Sequence, residues 1–122
     1  MTKFRIILVV LLIAFTASAS AFALAAGIIS WQDAGNYYGH YKTVEGTIVV
    51  THKTEKIIFL NFSQNWKHDF TAVIFASDWH KFPPNPETCY KGRKVQVTGL
   101  IKEYEGKPEI ILNWQSQIKV VE

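Results

Sequence analysis

Beyond residue 43 the chain alternates apolar and polar positions with a period of two. Val44, Gly46, Ile48 and Val50 alternate with Glu45, Thr47, Val49 and Thr51, which predicts a half-buried strand. Gly46 within it suggests a bulge or sharp bend. His52-Lys53-Thr54-Glu55 reads as a polar turn, and Lys56 to Phe62, rich in β-branched and aromatic residues, as a second strand closing a hairpin. Ser63 to Asp69 is a polar loop carrying Trp66. Phe70 to Ala76 predicts a third strand, apolar on both faces. Pro83, Pro84 and Pro86 exclude a central strand from Ser77 to Gly92, where Asn85-Pro86-Glu87 starts one helical turn that Gly92 stops. Lys94 to Tyr104 alternates again, and Glu105-Gly106-Lys107-Pro108 turns the chain into Glu109 to Asn113, a second hairpin. Upstream, Ser30 is placed to cap a short helix over Trp31-Gln32-Asp33-Ala34, with Asp33 reaching back to the same turn and Gly39 ending it.

The first 25 residues follow a different pattern. Lys3 and Arg5 precede a nearly continuous apolar run from Ile6 to Phe15, and small residues follow to Gly27, the order of a secretory signal peptide. Small-x-small sequences place the cleavage after Ala23 or Ala25. Uncleaved, the 24 residues Ile6 to Ile29 are long enough to cross a bilayer as an anchor, but Ala/Ser-rich stretches insert less strongly than Leu-rich ones. The expectation is therefore a periplasmic or secreted protein, with membrane contact only if the leader is retained. Cleavage leaves roughly 97 residues, 26 to 122, enough for one compact domain and too few for two.

Composition narrows the picture modestly. The formal charge of +3 includes Lys3 and Arg5; without them 11 basic residues face 10 acidic ones, so bulk charge does not select an anionic partner. A single cysteine, Cys89, excludes an internal disulfide, and its expected state is half-buried and inert. The four histidines, His40, His52, His68 and His80, have no ligand partner two to four residues away, so no metal site is expected. No phosphate-cradling glycine loop, Gly-x-Ser-x-Gly elbow or His-Glu-x-x-His helix is present, so no cofactor and no enzymatic activity are expected.

Three strands, a short helical crossover and a two-stranded return form the element order of a mainly β, five-stranded OB-type Greek-key barrel, with a short N-terminal helix and a short crossover helix between strands 3 and 4. An SH3-like barrel and an open sandwich share this pattern. The runs Val44-Glu45-Gly46-x-Ile48, Phe59-Leu60-Asn61-Phe62, Phe70 to Phe75, Gly92-x-Lys94-Val95-x-Val97-Thr98-Gly99 and Tyr104-x-Gly106-Lys107-Pro108-Glu109-Ile110-Ile111-Leu112 resemble small OB-fold domains of the nucleic-acid-binding, tRNA-anticodon-binding-like type. Ser116-Gln117-Ile118 is similar to their usual ending. The resemblance spans about Trp31 to Ile118. It implies the fold, and a nucleic-acid ligand only as far as fold carries function.

OB folds bind extended ligands across strands 2 and 3 and the loops beside them. In this chain those places hold Lys53 and Lys56 at the first turn, Phe59 and Asn61 on one face of strand 2, Trp66 and Lys67 in the next loop, and Tyr104 and Lys107 at the last turn. Exposed aromatics would stack bases while lysines neutralise phosphates. Phe62, Phe70 and Phe75 are expected to be core. The mature chain holds only Arg93 and three aspartates, Asp33, Asp69 and Asp78, too little for an OB-type nuclease site. The leading expectation is an exported, non-enzymatic module for single-stranded nucleic acid. A protein-interaction module of the cell envelope and an oligosaccharide binder are the alternatives.

Overall fold

The computed structural model describes residues 27 to 122, so the leader and its cleavage sites lie outside the described residues. Nine strands form two mixed sheets: β1 (Ile28–Ser30), β2 (Tyr41–Thr47), β3 (Val50–Lys53), β4 (Ile57–Asn61), β5 (Thr71–Phe75), β6 (Lys94–Leu100), β7 (Lys102–Tyr104), β8 (Lys107–Ile111) and β9 (Ile118–Val120). One sheet has the order β1-β2-β6-β9 and the other β3-β4-β5-β8-β7. The helices are short: a 3₁₀ turn over Trp31–Asn36, another over Ala76–Lys81, α1 (Pro86–Cys89) and a 3₁₀ turn over Gln115–Gln117.

The expected count of five strands is corrected to nine, because two long strands each change sheets. Ile48 exchanges backbone hydrogen bonds with Gly92 and Arg93, at 2.7 and 3.1 Å, whereas the next residue, Val49, donates to Asn61 at 2.9 Å. The strand therefore leaves one sheet as β2 and enters the other as β3 within two residues. Ile101 makes the same transition between β6 and β7, pairing with His40 and Gly39 before Lys102 pairs with Glu109. The remaining two strands, β1 and β9, are three-residue edges too short to carry a period. The arrangement is mainly β and OB-like.

Gly46 does not make the bend, which falls two residues later. Its role is close approach: a Cβ there would run into the Trp31 ring and lie 2.8 Å from Phe62 Cδ2. Gly46 thus lets Trp31 close the end of the core. Ser30 caps the first 3₁₀ turn by accepting a hydrogen bond from the Gln32 amide at 3.3 Å, as its position suggested. The crossover turn begins at Pro86 as expected, after Asn85 adopts φ 53°. The last expected strand, observed as β8, begins earlier than expected, at Lys107, because Glu105 and Gly106, with φ 50° and 79°, make a two-residue hairpin turn.

The core lies between the sheets. Val44, Ile58, Leu60, Phe62, Phe70, Ala72, Ile74, Val95, Val97, Ile110 and Leu112 are buried, and Phe62 and Phe70 meet edge to face at 4.9 Å. β5 is buried on both faces up to Phe75, in keeping with its unbroken apolar run. Gly46→Ala is expected to destabilise the fold by about 1–3 kcal/mol, the usual cost of overpacking. Gly35→Ala, with nothing within 4 Å of its added methyl, is expected to stay close to wild type. Urea denaturation of both variants measures the difference, and equal midpoints would remove the close-approach role from Gly46.

Candidate binding groove

A concave groove of about 1000 Å³ runs over the outer face of the five-stranded sheet. Cross-strand register explains its lining, since paired residues point to the same side of a sheet. One row across the sheet is His52, Phe59, Val73 and Ile111; the next is Val50, Asn61, Thr71, Glu109 and Lys102. Ile57 and Phe75 extend the floor on one side, and Lys107 and Tyr104 on the other. Trp66, carried by the β4–β5 loop, stands over that second end.

Six of the eight residues singled out from sequence line this groove: Phe59, Asn61, Trp66, Lys67, Tyr104 and Lys107. Trp66 and Tyr104 are 46% and 52% exposed, available as stacking surfaces. Phe59 is half-buried and tilted against His52, with ring centroids 6.2 Å apart. Lys53 and Lys56 are not part of the lining. Lys53 follows His52 by one residue and so points to the other side of β3, where its Nζ lies 4.7 Å from the Trp79 ring and 3.9 Å from Glu87. Lys56 is exposed at the hairpin tip.

Lys107 is not the free turn cation expected of it. It opens β8, is 8% exposed and donates from Nζ to the Trp66 carbonyl at 2.5 Å, with the Trp66 ring 6.0 Å away. That contact ties the loop bearing Trp66 to the β7–β8 hairpin. Burial lowers the Lys107 pKa, partly offset by Glu109, Glu105 and Asp69. Phe75, expected in the core, is 37% exposed on the groove floor. The alternation from Phe59 and Asn61 already contained Ile57; Val73, Phe75, Ile111 and Glu109 required the strand pairing, which no local pattern carries.

Glu109 is the residue that sequence reasoning missed as a site member. It is 6% exposed, and burial raises its carboxyl pKa, with Lys107 and Lys102 opposing and Glu105 adding to the rise. Among the described residues it has no hydrogen bond or ion pair. Asn61, across β5 from it, is 1% exposed and its Oδ1 has no hydrogen-bond partner. The groove rim carries Lys67 and Lys102 against Glu103 and Glu105, leaving it close to neutral.

Among the described residues no group of three His, Cys, Asp or Glu side chains gathers to hold a metal ion, and no helix is long and apolar enough to cross a membrane. Cys89, expected half-buried, is exposed at the end of α1.

No family model matches the sequence, and no curated protein matches it significantly. Solved structures do. The chain is similar in fold to part of asparaginyl-tRNA synthetase from Pyrococcus horikoshii, with 17% identity and a TM-score of 0.53 over 77% of this chain and 23% of that one. A putative aspartyl-tRNA synthetase from Leishmania major Friedlin aligns over 77% of this chain and 20% of its own, with 12% identity and a TM-score of 0.53. The chain thus matches less than a quarter of either synthetase, and the likeness is one of fold. At that level it agrees with the resemblance to small OB-fold domains of the tRNA-anticodon-binding-like type.

A carboxylate buried in this way makes stability depend on pH with a definite sign. Because the folded-state pKa of Glu109 lies above its ordinary value of 4.5, the folded protein binds the proton more tightly than the unfolded chain. Stability is expected to fall as pH rises from about 4.5 through the raised value, and then to level off. Glu109→Gln is expected to be more stable than wild type at pH 7, with the gap closing below pH 4.5. Denaturation midpoints across that range check it, and a constant gap at all pH values would contradict it.

Proposed function

We propose that this chain is a non-enzymatic binding module that holds an extended single-stranded nucleic acid along the outer-face groove. In this reading the two sheets act as one five-stranded OB barrel, its first and fourth strands each shared between sheets. The same reading takes the signal-type leader as directing export to the periplasm or the cell exterior. The observation that carries the proposal is the disposition of aromatic surfaces: Phe59 and Phe75 at one end of a continuous groove, Trp66 and Tyr104 at the other. Phe59 and Phe75 stand four and six strand residues from the Tyr104 row, about 13 and 20 Å at a rise of ~3.3 Å per residue, with a polar row between them. Bases stack on aromatic faces without regard to sequence, each contact being worth about 1–3 kcal/mol. The fold likeness to parts of two tRNA synthetases is in keeping with it.

Charge sets how such binding behaves. Lys67 and Lys102 are the exposed cations on the groove, since Lys107 is committed to the Trp66 carbonyl. About two neutralised phosphates give a slope of roughly −1.4 for log affinity against log salt with a single strand. Affinity therefore rests on stacking more than on counterion release.

Trp66→Ala is expected to weaken binding of a mixed-sequence single-stranded oligonucleotide by roughly ten- to a hundredfold. Fluorescence anisotropy of the labelled oligonucleotide, at two or more salt concentrations, reads both the loss and the slope. Unchanged affinity in Trp66→Ala would displace the site from this groove. No binding at any salt by the folded protein would favour docking of a protein partner on the same apolar face.

A further inference from the structure

The polar row in the middle of the groove has a chemistry of its own. Asn61, Thr71 and Glu109 lie side by side on β4, β5 and β8. Thr71 is already used, since its hydroxyl donates to the Leu60 carbonyl at 3.2 Å. The other two are not. Glu109 is 6% exposed and lines the groove as a carboxylate with no hydrogen bond or ion pair from any described residue. Asn61 is 1% exposed, lines the same groove and carries a buried Oδ1 without a partner. Its amide has no hydrogen bond from the described residues, so a half-turn about its last side-chain torsion breaks none. Burying such groups unpartnered is costly, and a ligand that completes them recovers that cost.

The two groups face each other across one intervening strand, with backbones about 10 Å apart at the usual strand spacing of ~4.8 Å. A flat ring between Asn61 and Glu109 spans that gap. At the Glu109 side it must bring N–H donors, because an ionised carboxylate only accepts and has two oxygens to satisfy. The same carboxylate repels phosphate, so a bound strand would run its backbone along the Lys67 and Lys102 side and present its base inward.

Among the bases only guanine offers two adjacent donors, N1–H and N2–H, on one edge. Uracil and thymine set their single N–H between two carbonyls, while adenine and cytosine set an amino group beside an acceptor nitrogen. Guanine also carries two acceptors, O6 and N7, for an amide to donate to. We propose that this row is a guanine-selecting base site, with Glu109 receiving N1–H and N2–H while Asn61 donates to the O6/N7 edge. The inference rests on the nucleic-acid reading above and adds base selectivity to it. The stacking ends then hold the flanking nucleotides without preference, and the middle position specifies.

The test uses the full-length chain and four single-stranded oligothymidylates that are identical except for one central nucleotide, G, A, C or T, in competition anisotropy at fixed salt. The G oligomer is expected to bind roughly tenfold or more tightly than the other three, in line with the discrimination of a good bidentate contact. In Glu109→Gln, which replaces one acceptor oxygen by a donor, the ratio of G to T affinity is expected to fall towards one. Asn61→Ala, which removes the amide on the other side of the row, is a second variant in which the same ratio is expected to fall. Equal affinity for all four oligomers would overturn base selection while leaving nucleic-acid binding standing. A G preference that persists in both variants would overturn the assignment to this row, and no binding to any of the four would overturn both readings.

Discussion

The parallel pairing of β5 with β8 is the contact on which the site depends. Thr71, Ala72 and Val73 lie beside Glu109, Ile110 and Ile111, residues nearly forty positions away. Without it the β4–β5 pair would carry Phe59, Asn61 and Phe75 on one face and the β7–β8 hairpin would carry Tyr104, Lys107 and Glu109 on another. The pairing is driven from within: Ile110 and Leu112 on one side and Ala72 and Ile74 on the other bury fully in the common core, at roughly 25 cal/mol for each Å² removed from water. Packing on the inner face thus assembles the outer face, and the groove is a consequence of the core's closure.

A second constraint holds the groove's far end. The β4–β5 loop is polar and exposed, and on its own would position Trp66 loosely. Lys107, buried at the start of β8, reaches the Trp66 carbonyl and so couples that loop to the neighbouring hairpin. Its ammonium is spent on the backbone of the protein, which explains the weak electrostatic character of the groove, while its burial lowers its pKa. A site built this way gains affinity from aromatic area and specificity from a few buried polar groups, the usual division of labour in concave sites.

Much of the scaffold was legible in the sequence, and the reasons are local. Period-two alternation marked β2, β6 and the surroundings of β4; the continuous apolar run marked β5; Pro86 and Gly92 bracketed the crossover turn. The place where a strand changes sheets was not legible, because Ile48 and Val49 look like any other strand residues. Gly46 misled for a physical reason: a glycine needed for the approach of Trp31 is indistinguishable in sequence from one needed for a bend. In the site, the loop position of Trp66 and the turn beside Tyr104 were visible from composition alone. Glu109 was not, since a glutamate three residues after a hairpin turn reads as solvated until the parallel pairing buries it, and Lys53 read as a groove cation until strand parity turned it towards Trp79.

The central claim is that ligand binding occupies the face formed by β4, β5, β8 and β7. Its most direct test is a two-dimensional amide NMR titration of the protein with a mixed-sequence single-stranded oligonucleotide, followed to saturation. The expected result is that shifts concentrate on β4, β7, β8 and the loop around Trp66, with the backbone of β1, β2 and β9 undisturbed. Shifts centred instead on the exposed Tyr41 and Leu100 pair or on Trp114, or a spectrum that does not change, would contradict it.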